Sequence, residues 1–480
     1  MSREEHPHTS RSGSGPFDAL LRDEALLHPL LDFARDAACL RGILLKPPDA
    51  AKPVTHMPFT LVPTPVSRAL YLQALQVQTF FNTLVDRVSQ DQEFLEEALS
   101  STVEVDDFTA RLFHIYKQIQ REGRAPSIVL GLTRCDYMLD RGSSLKQVEI
   151  NTFAAGMGEF TEPLVEVYRD VLRFAGRPKQ SEQLQHELPS TGHAAAAAVA
   201  KAWELYGSHR AVVLLVVLPS DFYRFGQRCL EVELPKWNIS VMRRSLDEVS
   251  ASVFLDKDDR LFVEGREIAV VYFRYGYAPE HYTEQLWDVR LLLEQSRAVK
   301  CPDVGTHLAG TKKVQQVLSE AGVLERFFPQ HQRVVEQIRA TFTGLYSLDP
   351  GAEGDRVMDL ALAAPERFVL KPQREGGGNN FFGSDIRRVL SAAGGKDRRA
   401  FILMDKIQAT STPNILVSGE HPPVVTECTC ELGVAGAYVR RGSEILSNQV
   451  VGVLLRSKMA AAAEGGVSSG GGAISAPFLL

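Results

Sequence analysis

Phe368-Val369-Leu370-Lys371-Pro372-Gln373-Arg374-Glu375-Gly376-Gly377-Gly378-Asn379-Asn380 joins an apolar, β-prone run ending on a lysine to a triple-glycine loop with one carboxylate and two carboxamides. Glycines let backbone N–H groups converge on an anion with no Cβ in the way. Lys371 adds a point charge suited to phosphate, and Glu375 offers the hard oxygen that Mg2+ prefers. Three glycines alone would favour the tip of a surface hairpin. The flanking Lys, Glu and Asn favour a phosphate loop over residues 371–380, although its spacing is not that of the GxxxxGK[ST] loop. Magnesium–ATP chemistry is the expectation.

Around this loop, strands are expected near Arg367, Ala400, Val424 and Ile445. The segment from Ala460 to Ala473 is almost entirely Ala, Gly and Ser and follows Arg456 and Lys458, so it reads as a mobile lid loop. Further upstream, the run AVVLLVVL from Ala211 suits a strand covered on both faces. A helix from about Asp221 to Leu234, a strand near Ile239 and another over Ala269–Phe273 make residues 211–308 a small α/β lobe. Pro16 to about Gly123 is helical in pattern, with Asp106 and Asp107 capping a helix through Ile119. Strands are expected over Ser127–Leu132 and Leu145–Asn151. The expected organisation is a disordered polar tail (1–15), a helical region with strands (16–210), the α/β lobe (211–308) and a glycine-loop region (309–480). No internal repeat is visible.

With 480 residues, 44% hydrophobic and 23% charged, the chain is an ordinary globular protein of two or three lobes. A net charge of -6 argues against nucleic acid as a main partner. No apolar run reaches the ~20 residues of a membrane span. The first fifteen residues lack a signal-peptide core, so a cytoplasmic location is expected. Six cysteines do not make a disulfide framework. Cys428 and Cys430 share a strand face without nearby metal partners, and a structural role is expected for them.

In Gln147-Val148-Glu149-Ile150-Asn151, alternation puts Gln147, Glu149 and Asn151 on one face. A carboxylate and a carboxamide at a strand end, with Glu375 as a third oxygen donor, suit Mg2+, and two ions would neutralise phosphates in transfer. Arg134, Arg274, Lys312, Lys371, Arg456 and Lys458 stand at strand ends, where α/β lobes bind ligands. Arginine there suits a bidentate grip on a carboxylate, and Lys312 with Lys313 would open a helix aimed at phosphate.

The chain resembles the eukaryotic-type glutathione synthetases, which are ATP-grasp ligases. The resemblance rests on collinear blocks: DDFTARLF (Asp106 to Phe113), DYM (Asp136 to Met138), EINT (Glu149 to Thr152), KAWELYG (Lys201 to Gly207), EIAVVYFR (Glu267 to Arg274), LAGTKKVQQ (Leu308 to Gln316), TFTGLYSLD (Thr341 to Asp349), KPQREGGGNN (Lys371 to Asn380) and GGV (Gly465 to Val467). It implies a mixed α/β ATP-grasp fold with an inserted α/β substrate lobe, assembled as a homodimer. It implies ligation of γ-glutamylcysteine to glycine through an acyl phosphate formed with ATP. Carried over residue by residue, it implies Mg2+ ligation by Glu149, Asn151 and Glu375. ATP contacts fall on Glu149, Lys312, Lys371, Glu375, Gly376, Gly377, Gly378, Asn379, Asn380, Phe382, Met404, Asp405, Lys406, Ile407, Glu431, Lys458 and Glu464. Substrate contacts fall on Arg134, Phe153, Ala154, Ala155, Gly156, Asp221, Gln227, Arg274, Tyr277, Arg456, Val467 and Ser468. Lys312, Lys371 and Arg456 are the implied catalytic side chains.

Departures gather in the peptide pocket. Ala154 and Gly156 stand where serines are usual, Asp221-Phe222-Tyr223 where Glu-Arg-Asn is typical, and Ser468-Ser469 where the lid has alanines. Phe382 replaces a tyrosine, Tyr275 an acidic residue and Glu464 an aspartate. The reaction type is thus firmer than the amine. A sister ligase using β-alanine or serine is the near alternative, and a non-catalytic ATP-binding module the distant one.

Overall fold

The computed structural model describes residues 15–47, 49, 52–156, 158–184, 190–392, 397–418, 423–463, 465–467 and 471–480. The expected tail at 1–15 thus lies, but for Gly15, outside the described residues. The mixed α/β chain carries its site on two sheets, the smaller antiparallel and the larger antiparallel except where Gly472–Ser475 runs parallel to Phe59–Thr60. The larger has seven strands in the order Ser411–Val417, Phe59–Thr60, Gly472–Ser475, Glu444–Met459, Val425–Arg441, Ile128–Asp140, Ser144–Asn151. Its long hairpin, Val425–Arg441 against Glu444–Met459, is central, so both ends of the sequence build one sheet. The smaller has four strands in the order Leu345–Ser347, Phe401–Asp405, Phe368–Pro372, Phe381–Phe382.

Helix Arg68–Gln90 covers one face of the large sheet, and with Asp107–Arg121 in the same core it buries Phe81, Val85, Leu112 and Tyr116 with Cys135, Ile150, Val434 and Tyr438. The helical pattern expected through this part of the chain is divided here into two helices, Arg68–Gln90 and Gln92–Leu99. Asp91 breaks it, its side chain accepting the Phe94 N–H at 3.0 Å to cap the second. Asp106 caps Asp107–Arg121 in the same way, accepting from Thr109 N at 2.8 Å.

A separate six-stranded sheet takes all its strands from residues 212–301. Val212–Val216 is fully buried: Val213 and Leu215 enter one apolar cluster, Val212, Leu214 and Val216 another. This is the two-sided cover that the unbroken apolar run requires.

Three expectations need correction. The first 123 residues are not helical throughout: Thr55–His56, Phe59–Thr60 and Thr64–Val66 are short strands, fixed by pairing with residues such as Leu416 and Ile474. The helix expected from Asp221 begins at Arg224, because Asp221 spends its carboxylate on the Tyr223 N–H at 2.7 Å. The expected lid to Ala473 ends sooner, since Gly472–Ser475 is a buried strand paired with Leu455–Lys458.

Candidate active site

These two sheets face each other across a cleft. From the small sheet come Val369, Lys371, Phe382 and Met404, continued by Asp405, Lys406 and Ile407. From the large one come Glu149, Glu431, Arg456 and Lys458, and the glycine loop closes the lining. Gly376, Gly377 and Gly378 take φ values of 96°, 70° and 78°, a succession of left-handed conformations that side chains resist. Asn379 braces the loop by donating from Nδ2 to the carbonyls of Glu375 and Gly377, both at 3.1 Å. Arg374 fastens its base, donating to Asp106 Oδ2 at 2.6 Å.

At the cleft floor, Lys312 Nζ stands 3.0 Å from Glu375 Oε1 and 3.2 Å from Glu149 Oε2. Burial works against the Glu149 carboxylate. The charges of Lys312, Lys371, Arg456 and Arg134 outweigh it and hold this carboxyl well below the usual range. Glu375 is pushed up to about 7, by burial and by repulsion from Glu149, against the pull of Lys312. Burial and then the nearby Lys312 depress Lys371, although Glu149 pulls the other way. The Lys371 ammonium donates to the Val148 carbonyl at 2.7 Å. Lys313 turns away, to Asp349 Oδ2 at 2.7 Å and Ser347 Oγ at 3.0 Å, so only Lys312 of the pair serves the cleft.

Beside this centre lies a carboxylate that the motif reading passed over. Asp136, fully buried, takes Arg134 Nε at 2.6 Å, Arg134 Nη2 at 2.8 Å, Asn151 Nδ2 at 2.8 Å and Arg456 Nη2 at 2.9 Å. Arg456 also pairs with Glu431. Alternation puts Arg134 and Asp136 on one strand face, but only the fold brings Asn151 and Arg456 to them. Arg134 therefore gives its fork to Asp136, and its remaining nitrogen to the Gly156 carbonyl at 3.1 Å.

The expected alternation over 147–151 also breaks. Asp136 pairs with Glu149 and Tyr137 with Gln147, so Val148 is an extra residue, and Val148 and Glu149 both line the cleft while Gln147 does not. Among the described residues no three His, Cys, Asp or Glu side chains form a metal cluster. The donor set is two carboxylates and a carboxamide, and it fits a hard divalent cation. Glu149 and Glu375 crowd one ammonium and repel each other, and Asn151 commits its amide nitrogen to Asp136, leaving its carbonyl oxygen to ligate.

A second pocket is lined by Ala155, Glu159, Gln227, Cys229, Tyr272 and Arg274, among others. Arg274 donates to Tyr272 Oη at 3.4 Å, while its Nε is buried with no partner. The absent side chain at Gly156 makes room for it: a β-carbon there would stand 2.4 Å from Arg274 Nη2. Gln227 Nε2 donates to Asp221 Oδ2 at 2.6 Å, and Gln227 Oε1 accepts from Arg243. Tyr277 links this pocket to the glycine loop, its Cε2 3.1 Å from where a Gly376 β-carbon would stand.

Other expected site residues are placed differently. Phe153 is buried in an aromatic cluster, 4.7 Å from His307 and 5.8 Å from Phe273 and Tyr277 between ring centroids. Ala154, beside it, holds a left-handed φ of 49°. Val467 packs into the core with Leu454 and Phe478. Glu464, Ser468 and Ser469 lie outside the described residues. Lys458 Nζ donates to the carbonyls of Ala462 at 2.9 Å and Ala463 at 2.5 Å, tying the small-residue segment to the cleft. Of the C-x-C pair, Cys428 is buried and Cys430 lines the cleft, its thiol pushed up to about 12 by burial and then by Glu431.

The family model described as eukaryotic glutathione synthase, ATP binding domain, matches residues 24–479. Glutathione synthetase of Bos taurus is 48% identical over 468 residues, 96% of this chain and 98% of that protein. The Homo sapiens glutathione synthetase is 47% identical over the same shares. The chloroplastic glutathione synthetase of Solanum lycopersicum is 38% identical over 95% of this chain and 85% of its own. A glutathione synthetase-like effector from Globodera pallida, solved in its apo form, shares the fold with a TM-score of 0.75 at 24% identity, over 96% of this chain and 98% of that one.

Proposed function

The chain belongs to the eukaryotic glutathione synthetase family, and from that premise we propose that its cleft joins γ-glutamylcysteine to glycine through an acyl phosphate. It is an ATP-dependent ligase of glutathione biosynthesis. The fold assigned to it is ATP-grasp, the nucleotide lying between the seven-stranded and four-stranded sheets with its phosphates under residues 376–378. The carboxylate of the cysteinyl residue attacks the γ-phosphorus, ADP leaves, and the glycine amine then attacks the acyl carbon and expels phosphate. Such transfer needs positioning and charge more than covalent chemistry from the protein.

Lys312 and Lys371 supply fixed positive charge for the phosphates, and Arg456, held by Asp136, supplies it for the carboxylate under attack. Glu149, Asn151 and Glu375 are the residues that would hold Mg2+, as two ions. Bound there, Mg2+ would neutralise charge on the transferred phosphoryl group. Arg274 and Gln227 take the dipeptide, and Lys458 draws the small-residue segment over the cleft to exclude water from the acyl phosphate. A homodimer in the cytoplasm completes the proposal. No helix among the described residues is long and apolar enough to cross a membrane.

The observation that carries this reading is Lys312, buried between two half-buried carboxylates, beneath a glycine loop and beside a second pocket with an open arginine. Incubation with ATP, γ-glutamylcysteine and equimolar glycine, β-alanine and serine tests it. Release of ADP with the glycine adduct as the dominant product is expected, and dominance of another adduct would reassign the amine.

A further inference from the structure

The second pocket contains a carboxylate with nothing to do in the unliganded protein. Glu159, in the short turn Gly158–Phe160, lines it together with Arg274, Gln227, Cys229 and Tyr272. Among the described residues no hydrogen bond or ion pair reaches the Glu159 side chain, although it is only half-exposed. Its Oε1 lies against the first turn of helix Arg224–Glu233, where a β-carbon at Gly226 would stand 2.3 Å away. Glycine at that position is what lets the carboxylate lie there. Its charge reaches Arg274 and Tyr272 across the pocket, yet the two ions are not paired with each other.

A half-buried carboxylate without a partner is costly unless a cation meets it, and the same holds for the unpartnered Nε of Arg274. The neighbouring acid is already engaged. Asp221 has both oxygens committed, one to the Tyr223 N–H at 2.7 Å and the other to Gln227 Nε2 at 2.6 Å. The Gln227 amide is itself fixed from behind by Arg243.

We propose that Glu159 and Arg274 form a clamp for an α-amino acid zwitterion, Glu159 receiving the α-ammonium of the γ-glutamyl head and Arg274 its α-carboxylate. The proposal deepens the dipeptide reading given above and rests on it. Charge-assisted bonds at both ends of one small group give affinity together with rejection of any acyl chain lacking the amine. Glu159 is thus a specificity-determining residue.

The test compares γ-glutamylcysteine with glutarylcysteine, which lacks only the α-ammonium, in wild type and in Glu159→Gln. Wild type is expected to prefer the aminated substrate in kcat/KM by at least about tenfold, the loss of one hydrogen bond to a charged group. Glu159→Gln, and Glu159→Ala should the first variant express poorly, is expected to shrink that preference below about threefold through KM for the dipeptide, with KM for ATP unchanged. An undiminished preference in both variants would overturn the proposal. So would its disappearance in Asp221→Asn while Glu159→Gln keeps it. A wild-type protein that makes no glutathione would sink the parent reading instead, and the two failures are therefore separable.

Discussion

Glu375 shows how a single side chain is set against the stability of the unliganded protein. Its carboxyl is pushed up to about 7 by burial and by Glu149, above the 4.5 of an unfolded chain. Between those two values the unfolded state sheds a proton that the folded state keeps, so stability falls as pH rises through the window. Glu375→Gln removes the titration. The variant is expected to match wild type at about pH 4, below the unfolded value, and to exceed it by about 1–3 kcal/mol at pH 8, read by urea unfolding without nucleotide. Ligation should be lost at saturating magnesium, because a neutral amide holds the metal poorly. Activity within a few-fold of wild type would remove Glu375 from the metal site. The arginines divide in a similar way. Arg274, with an unpartnered Nε, should respond to Arg274→Lys by a rise of about tenfold or more in KM for the dipeptide. Arg134→Lys loosens the clamp on buried Asp136 and should lower thermal stability as well. Arg134 lies mid-strand in Ile128–Asp140 and Lys312 opens a helix rather than ending a strand, yet the cations were legible in the sequence as charges beside apolar runs. Asp136 was not, since one acid beside one arginine says nothing until Asn151 and Arg456 arrive from elsewhere in the chain.

The glycine loop is the element that the sequence announced most clearly, because three successive left-handed residues leave glycine as the fitting choice. A β-carbon at Gly377 would meet nothing within 4 Å, so any penalty there comes from φ +70° alone. Gly377→Ala is expected to strain the loop by about 1–2 kcal/mol and to raise KM for ATP roughly five- to tenfold, with the melting temperature little changed. Gly377→Asn, which tolerates that conformation, should recover part of the loss, and equal KM values for the two variants would point away from backbone strain. Elements fixed by distant partners were less readable. Phe59–Thr60 is too short to signal itself and exists because Leu416, Val417 and Ile474 pair with it. The extra residue at Val148 was hidden for a related reason. A bulge is a property of two strands, and a period of two on one of them cannot reveal it.

The whole molecule is closed by its last residues, and this sets a limit on how far the cleft can be treated as a local device. Gly472–Ser475 pairs with Leu455–Lys458, the stretch carrying Arg456 and Lys458, and meets Phe59 on its other edge. Ser475 Oγ bonds the hydroxyls of Thr60 and Thr64, each at 2.8 Å, and Pro477–Leu479 runs parallel to Thr64–Val66. Phe478 is 5% exposed and meets Phe17 edge-on at 5.0 Å, so the first and last described helices and strands share one core. Phe478→Ala deletes a buried ring with no small side chain placed to fill the gap, and is expected to cost about 3–5 kcal/mol in urea unfolding. Because the adjoining strand Gly472–Ser475 pairs with the stretch that holds Arg456 and Lys458, the variant should also weaken ATP binding at temperatures where it remains folded, whereas an exposed aromatic such as Phe254 should do neither when cut to Ala. An unfolding midpoint equal to wild type would mean that the C-terminal strand merely rests on the sheet. The cleft would then owe its geometry to the 425–459 hairpin alone.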